Sequence, residues 1–390
     1  MQSTLMLGAL LALSFPVLLR AQEAGVLEVR FCPAEQVRTY PLESRRDIRS
    51  LVLQNLLVIN HRSTPVDVTE VNLALMQGGE ALDVRRIQGA ELKQYTAGGP
   101  KLQASGMLEM LAFQFCSTSL IPKGTQLAGP HLEPGQALLI TYQTMAFRGK
   151  RDTLRVTALG QSEGRSVDAS ASLPVSAALS KTEFRFPLQG VWFVAVGPTP
   201  HGGHRWGRME EFAFDIARFG EGDLSHRGNG EKFSDYYAYG APVYAAADGK
   251  VVAIANDIAE DTAMLRKPGD TDETYGQRAQ QAQMALLQAG SSAVVGNHVV
   301  IDHGGGEYSM YAHLQPGSVS VKTGEAVKAG QPIAKLGSSG NSTEPHLHFQ
   351  VCDSPEPLNC SSIPINFVGL ELPYADYPRP LQSGDVVKAN

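Results

Sequence analysis

Two consecutive β-rich domains, the second interrupted by a helical insertion, are the mainly β fold class that this sequence predicts. Three observations lead there. Short apolar-alternating runs separated by turn residues recur from residue 26 to about 180; a second set begins near Phe184; and residues 256 to 295 depart from the pattern toward helix formers. At 390 residues the chain can bury a large core and hold about two domains. Its 18% charged and 43% hydrophobic residues are those of a globular chain. The net charge of -6 argues against general nucleic-acid binding.

The chain opens with MQSTLMLGALLALSFPVLLRAQEAG. Its apolar run from residue 5 to 19 suits the core of a signal peptide and is short for a membrane span. Residues 1–21 are therefore expected to be a signal peptide cleaved near Ala21 or Ala24. No Lys or Arg precedes the run and Arg20 follows it directly, so an uncleaved anchor is the alternative. Export implies a periplasmic or secreted protein with no stable membrane span after cleavage. Four cysteines, an even set, agree with an oxidising compartment. Cys352 and Cys360 bracket a turn-rich loop that could bring them together, and Cys32 and Cys116 could pair within the N-terminal half. None has the spacing of a zinc ribbon, so all four are expected to be staples.

Residues 22–180 are expected to form an antiparallel β-sandwich, roughly immunoglobulin-like, from the runs VLEVRF, RSLVLQNLLVIN, VDVTEVNLALM, EALDVRRI, QALLITYQTMAF and DTLRVTAL. This part holds only His61 and His131, with no acid pairs clustered beside them, and no catalysis is expected there. A positioning, binding, structural or inhibitory role remains open to it. SLPVSAALSKTEFRFPLQG then reads as a link to a second domain over 183–370, followed by a C-terminal tail, 371–390. Such a link lets the two domains move unless a large apolar interface joins them. On that basis an isolated fragment from residue 183 onward should keep the properties of its own site.

The second domain continues in β runs such as APVYAAADGKVVAIA, NHVVIDHG, EYSMYAHL and QPIAKLG. The interruption at 256–295 contains DETYGQRAQQAQMALLQAG, whose Ala, Gln, Leu and Met favour helix. An insertion of this size is a lid, a wall of a binding site or a plain surface excursion. Eight of the ten histidines lie in this half, between His201 and His348. In PHLHFQV a strand from His346 to Val351 would put His346 and His348 on one face, roughly 6.6–6.8 Å apart, with Leu347 and Phe349 toward a core. That spacing suits one imidazole on a metal and a neighbour acting on what the metal holds. An exposed polar strand face would give the same spacing.

HGGHRWGRMEEFAFDIA (201–217), MYAHL (310–314) and EPHLHF (344–349) together supply His and Asp donors on separate strands. With APVYAAADGKVV, GNHVVIDHG and VKAGQPIAKLGSSGNST, in this order, they make residues 183–370 resemble the lysostaphin-like (LytM-type) zinc endopeptidases, metallopeptidase family 23. The resemblance implies a Zn2+-dependent peptidase whose partners are peptidoglycan stem peptides or cross-links, with room for a regulatory protein partner. It implies Asp215 and His348 as zinc ligands. The usual H-x-x-x-D motif has Glu211 in place of its histidine here; His204 is the preferred third ligand and His201 the runner-up. His313 and His346 resemble the family's two non-ligand catalytic histidines, which orient water and stabilise the oxyanion. Glu344 stands where relatives often have Gly.

Other polar residues read as structural. Asp302 and His303 precede GGG as turn residues, His298 faces solvent or a neighbouring strand, and His226 sits in a Gly-rich loop that could border a groove. The run 337–341 suits a tight turn delivering His346. Two other function classes compete. A catalytically inactive relative acting as a wall-binding or activating scaffold should have lost ligands, and all five side chains are available. A biotinyl or lipoyl carrier needs a lysine at an exposed hairpin tip, where this chain has YAHL.

Overall fold

The computed structural model describes residues 26–116, 119–200, 202–377 and 379–390. The expected signal peptide and His201 lie outside the described residues. The N-terminal strands are β1 (Leu27–Cys32), β2 (Val37–Glu43), β3 (Ile48–Asn60), β4 (Val66–Gln77), β5 (Glu80–Gln88), β6 (His131–Leu132), β7 (Ala137–Arg148), β8 (Thr153–Ser162) and β9 (Arg165–Ser176). They pair in the order β1-β3-β2-β9-β8-β4-β5, with β7 on β3 and β6 on β4. All pairs are antiparallel except β2 with β9, a parallel contact that joins the two halves of the sandwich at a corner. Leu53, Leu56 and Val58 of β3 meet Val71, Leu73 and Val156 across the core.

β3 is buried from Ser50 to Asn60, which explains its nearly unbroken apolar run. Its second face carries Leu57 and Ile59 against a smaller cluster with Leu108, Phe115 and Leu127. That cluster includes residues of the segment bearing the short helices α1 (Gly89–Thr96), α2 (Gly98–Ala104) and α3 (Met107–Met110). Cys32 and Cys116 form a disulfide beside it.

The second unit adds β10 (Phe184–Arg185), β11 (Gly190–Val196), β12 (Phe214–Ala217), β13 (Pro242–Tyr244), β14 (Gly249–Ala255), β15 (Asn297–Asp302), β16 (Tyr308–Leu314), β17 (Ala326–Val327), β18 (Pro332–Lys335) and β19 (Leu347–Cys352). Near the C-terminus lie β20 (Phe367–Val368), β21 (Leu370–Glu371) and β22 (Val386–Ala389). One antiparallel sheet runs β17-β14-β15-β16-β19-β12-β11-β22-β21. Tyr311, Leu347 and Phe349 project to its core face together with Phe184 and Val299.

Residues 371–390 differ from the expected tail. Val386 to Ala389 pair with Gly190–Phe193, and Val387 is fully buried, because alternating Val387 and Ala389 complete the apolar face at that edge. The insertion forms α4 (Asp272–Ala289) and α5 (Ser291–Val295). Thr271 starts α4 by accepting the Thr274 amide, and Gly290 ends it. Val295 of α5 packs on Val300, Met310 and Ala312, the sheet face opposite the main core. Among the described residues no helix is long and apolar enough to cross a membrane.

Candidate metal centre

Sheet register brings the candidate residues together. Asp215 on β12 lies directly across from His348 on β19, which in turn faces Ala312 on β16. Leu347 and Phe349 point into the core, so the period of two turns His348 to the opposite face. The strand begins at Leu347, one residue after the expected start, and His346 immediately precedes it. His204 arrives from outside the sheet on a single turn of 3-10 helix, Gly203–Trp206.

His204, Asp215 and His348 offer donor atoms that all lie within 4.8 Å of one another. His204 Nε2 is 2.9 Å from Asp215 Oδ2, and His348 Nδ1 is 3.0 Å from Asp215 Oδ1. The buried His204 Nε2 has no well-formed hydrogen bond despite this proximity. Two imidazole nitrogens and a carboxylate are a zinc donor set, and a buried nitrogen without a well-formed hydrogen bond facing the carboxylate fits a cation held between them. His313 and His346 stand beside the cluster, their ring centroids 4.8 Å apart, and His346 Nε2 is 3.5 Å from Asp215 Oδ1.

Each imidazole is oriented through its other nitrogen. His204 Nδ1 lies 3.3 Å from Glu210 Oε2, and His348 Nε2 lies 2.9 Å from Gln350 Oε1. A proton on each of these nitrogens leaves His204 Nε2 and His348 Nδ1 as bare donors. His313 Nδ1 donates to the Ser339 carbonyl and His346 Nδ1 to the Glu344 carbonyl, both at 2.8 Å. Those tautomers aim the Nε2 atoms of both rings at the site. Gln350 is held in turn by a hydrogen bond from its Nε2 to Sγ of Cys352, which is disulfide-bonded to Cys360.

The backbone carries strain at the same place. His313 has φ 61°, in the left-handed region that few residues other than glycine occupy. The turn that receives its Nδ1 proton is packed against Gly296, where a Cβ would lie 2.4 Å from the Ser339 oxygen. Glycine at 296 is thus required by the close approach that fixes Ser339.

The electrostatics follow from burial and crowding. Burial pushes the His313 imidazole well below its ordinary value, and the neighbouring His346 and His348 add to the effect. Burial also acts against charge on His204, but the Asp215 and Glu210 carboxylates outweigh it and raise this imidazole well above its usual range. Asp215 is held well below the usual carboxylate range because His204 and His346 overcome its desolvation.

Glu211, the residue occupying the usual histidine position, is turned away from this cluster. Its Oε1 pairs with Nη2 of Arg205 at 3.0 Å, with both side chains nearly or fully buried. Asp302 caps a turn by accepting the Gly304 amide, and His303 bridges the Asp248 carbonyl and Ser309 Oγ. His298 is buried, 8% exposed, with Nδ1 on the Gly296 carbonyl, so it does not face solvent. His226 packs edge-on against Tyr236 in a loop whose Ser225 hydroxyl donates to Glu344, so this loop adjoins the residue that orients His346. Glu210 and Gln350 were not singled out by sequence; the available signals were a second carboxylate beside Glu211 and a polar residue two places beyond His348.

Residues 278–360 match the model of Peptidase family M23. Within that stretch the chain is an M23-type domain. The M23 match contains His313, His346 and His348, whereas His204 and Asp215 precede it. The peptidoglycan DD-endopeptidase ShyB of Vibrio cholerae is 30% identical over 120 residues, covering 31% of this chain and 20% of the relative. The murein hydrolase activator EnvC of Escherichia coli is 49% identical over 53 residues, covering 14% of this chain and 12% of the relative. The V. cholerae DD-endopeptidase ShyA is 41% identical over 64 residues, or 16% of this chain and 14% of the relative. The aligned part thus spans a fifth or less of each relative's length.

Proposed function

We propose that the chain is an extracytoplasmic zinc metalloendopeptidase that hydrolyses peptide bonds in peptidoglycan cross-links. The convergence of His204, Asp215 and His348 beside His313 and His346, in a chain with an M23 domain, carries this reading. The likeness to named peptidoglycan endopeptidases supports the substrate class. His204 Nε2, Asp215 and His348 Nδ1 would hold the zinc ion. Bound there, zinc supplies a Lewis acid that polarises the scissile carbonyl and acidifies water.

The remaining residues position and move protons. His313, kept neutral by burial, presents a bare Nε2 that accepts a proton from the attacking water. His346, raised above its ordinary value by Asp215 against the opposing effect of burial, presents Nε2–H to the charge developing on the carbonyl oxygen. Glu210 and Gln350 hold the two ligand rings in the tautomers that leave their donors free.

A second reading, an inactive scaffold that binds the wall or activates another hydrolase, draws on the likeness to EnvC. The two readings share a wall partner and differ in turnover. Zinc content of the purified protein tests the site common to the first reading: one zinc per chain is expected, with most of it lost in His348→Ala and Asp215→Ala. Full occupancy in both variants would remove the proposed ligand set.

A further inference from the structure

Pro200 and Arg205, on either side of His204, rest on the N-terminal sheet. Tyr142 hydroxyl donates to the Pro200 carbonyl at 3.0 Å, and Thr144 Oγ1 reaches the same oxygen at 3.4 Å. Gln54 Nε2 donates to the Arg205 carbonyl at 3.4 Å. Arg205, the residue next to His204, is fully buried, and its Nη1 donates to Ser50 Oγ and the Pro198 carbonyl, both at 3.1 Å. Glu211 neutralises its other edge. A guanidinium buried with all these partners fixes the backbone on both sides of it.

A local irregularity in the N-terminal sheet forms this seat. β3 and β7 pair continuously from Ile48 to Ile59 except at position 54, where Gln54 and Tyr142 stand opposite each other outside the ladder. Tyr142 has φ 55°, in the left-handed region. Core-facing positions change parity across this point, from Leu51 and Leu53 to Leu56 and Val58 on β3, and from Leu138 and Ile140 to Met145 and Phe147 on β7. The irregular pair therefore supplies two of the four side chains that grip the His204 segment. Strain of this kind persists where the surroundings over-determine it.

We propose that Ser50, Gln54, Tyr142 and Thr144 are positioning residues for the metal centre, acting through Arg205 on His204, so that the N-terminal sheet is a working part of the site. This rests on the zinc reading above and goes beyond it by giving the N-terminal unit a role. It also replaces the expectation that the C-terminal half keeps its site when isolated. The outer support of a metal ligand is here supplied by residues about 60 to 150 positions away in sequence.

The test uses the full-length protein carrying Ser50→Ala, Gln54→Ala and Tyr142→Phe together, titrated with zinc and with cobalt(II) against a competing chelator. A loss of affinity of about tenfold or more is expected, with an altered cobalt visible spectrum as His204 withdraws and an unchanged far-ultraviolet circular dichroism spectrum. Gln382→Ala, which removes the Gln382–Leu42 hydrogen bond between the same two units, is the control and should keep wild-type affinity. Wild-type affinity and spectrum in the triple variant overturn the proposal. An equal loss in Gln382→Ala also overturns it, because the effect then belongs to docking in general. Should the triple variant not fold, Tyr142→Phe alone is expected to weaken cobalt binding about threefold, and no change there is the contrary result. Wild-type protein that binds neither metal, or binds both as well as His348→Ala does, sinks the zinc reading itself.

Discussion

His204 shows how one side chain couples metal affinity to pH. In the metal-free protein its imidazole is raised well above the ordinary value by Asp215 and Glu210, against the opposing effect of burial. The stability this gives is fully present below the unfolded imidazole value of about 6.5 and is lost as pH rises through the folded value. Asp215 is depressed, so its contribution is present above about pH 3.9 and is lost as pH falls through its folded value. The pair therefore stabilises the metal-free protein most between about pH 4 and 6.5. The melting-temperature advantage of metal-free wild type over His204→Gln should shrink as pH is raised above 6.5, and an advantage that grows would contradict it. Zinc held as proposed would displace the His204 proton, so its affinity should increase over the same rise in pH. At His313 and His346, replacement by Ala should leave zinc content intact and lower activity about 100-fold or more. Near-wild-type turnover in both would refute their roles. Period two gave the inward facing of Leu347 and Phe349 and the opposite facing of His348, but His346 precedes the strand, and Glu211 could be assigned only once Arg205 was seen beside it. Sequence spacing does not reveal that a carboxylate is claimed by a buried guanidinium.

At the scale of elements, the insertion is tied into the sheet at its root. Glu260 accepts the Ser338 amide at 2.8 Å and the Tyr239 hydroxyl at 2.7 Å, next to Ser339, whose carbonyl orients His313. Asn297 holds Ile258 through both its side-chain atoms. The distal helix α4 has Ala279 as its only buried residue, so it contributes little to the core. Shortening residues 266–290 while keeping Glu260 and α5 should preserve zinc content and change the rate on intact cell wall more than on small soluble peptides. Equal effects on both substrates would leave α4 a surface excursion. The segment 198–211 behaves differently, because breaking a buried ion pair by removing one partner costs about 3–5 kcal/mol. Glu211→Ala should lower unfolding free energy by that order in chemical denaturation, and a loss under about 1 kcal/mol would show that Arg205 finds another partner. The helix at 272–289 was visible in composition, and Thr271 with Gly290 marks its ends. The attachment of the root was not visible, since it depends on single side chains meeting across the sheet.

For the whole molecule, two β units meet at a polar contact centred on Arg205, and the candidate metal centre lies where the second sheet receives a loop seated on the first. The strand runs of both units are legible in the sequence because each alternates or is continuously apolar. The parallel β2–β9 corner and the sheet-forming C-terminus are less so, as pairing partners lie far apart in the chain. The candidate donor set was legible only in part: the family resemblance implied Asp215 and His348 and preferred His204 to His201, while the path of the loop that brings His204 to them was not readable. The most direct measurement of the proposed function is the digestion of purified peptidoglycan sacculi by the zinc-loaded protein, with soluble products resolved by mass spectrometry. Cross-linked muropeptides are expected to be converted to uncross-linked ones by the wild type and to remain intact with His348→Ala. Protein that carries one zinc ion yet leaves every cross-link uncut would contradict the endopeptidase reading and leave the non-catalytic scaffold in its place.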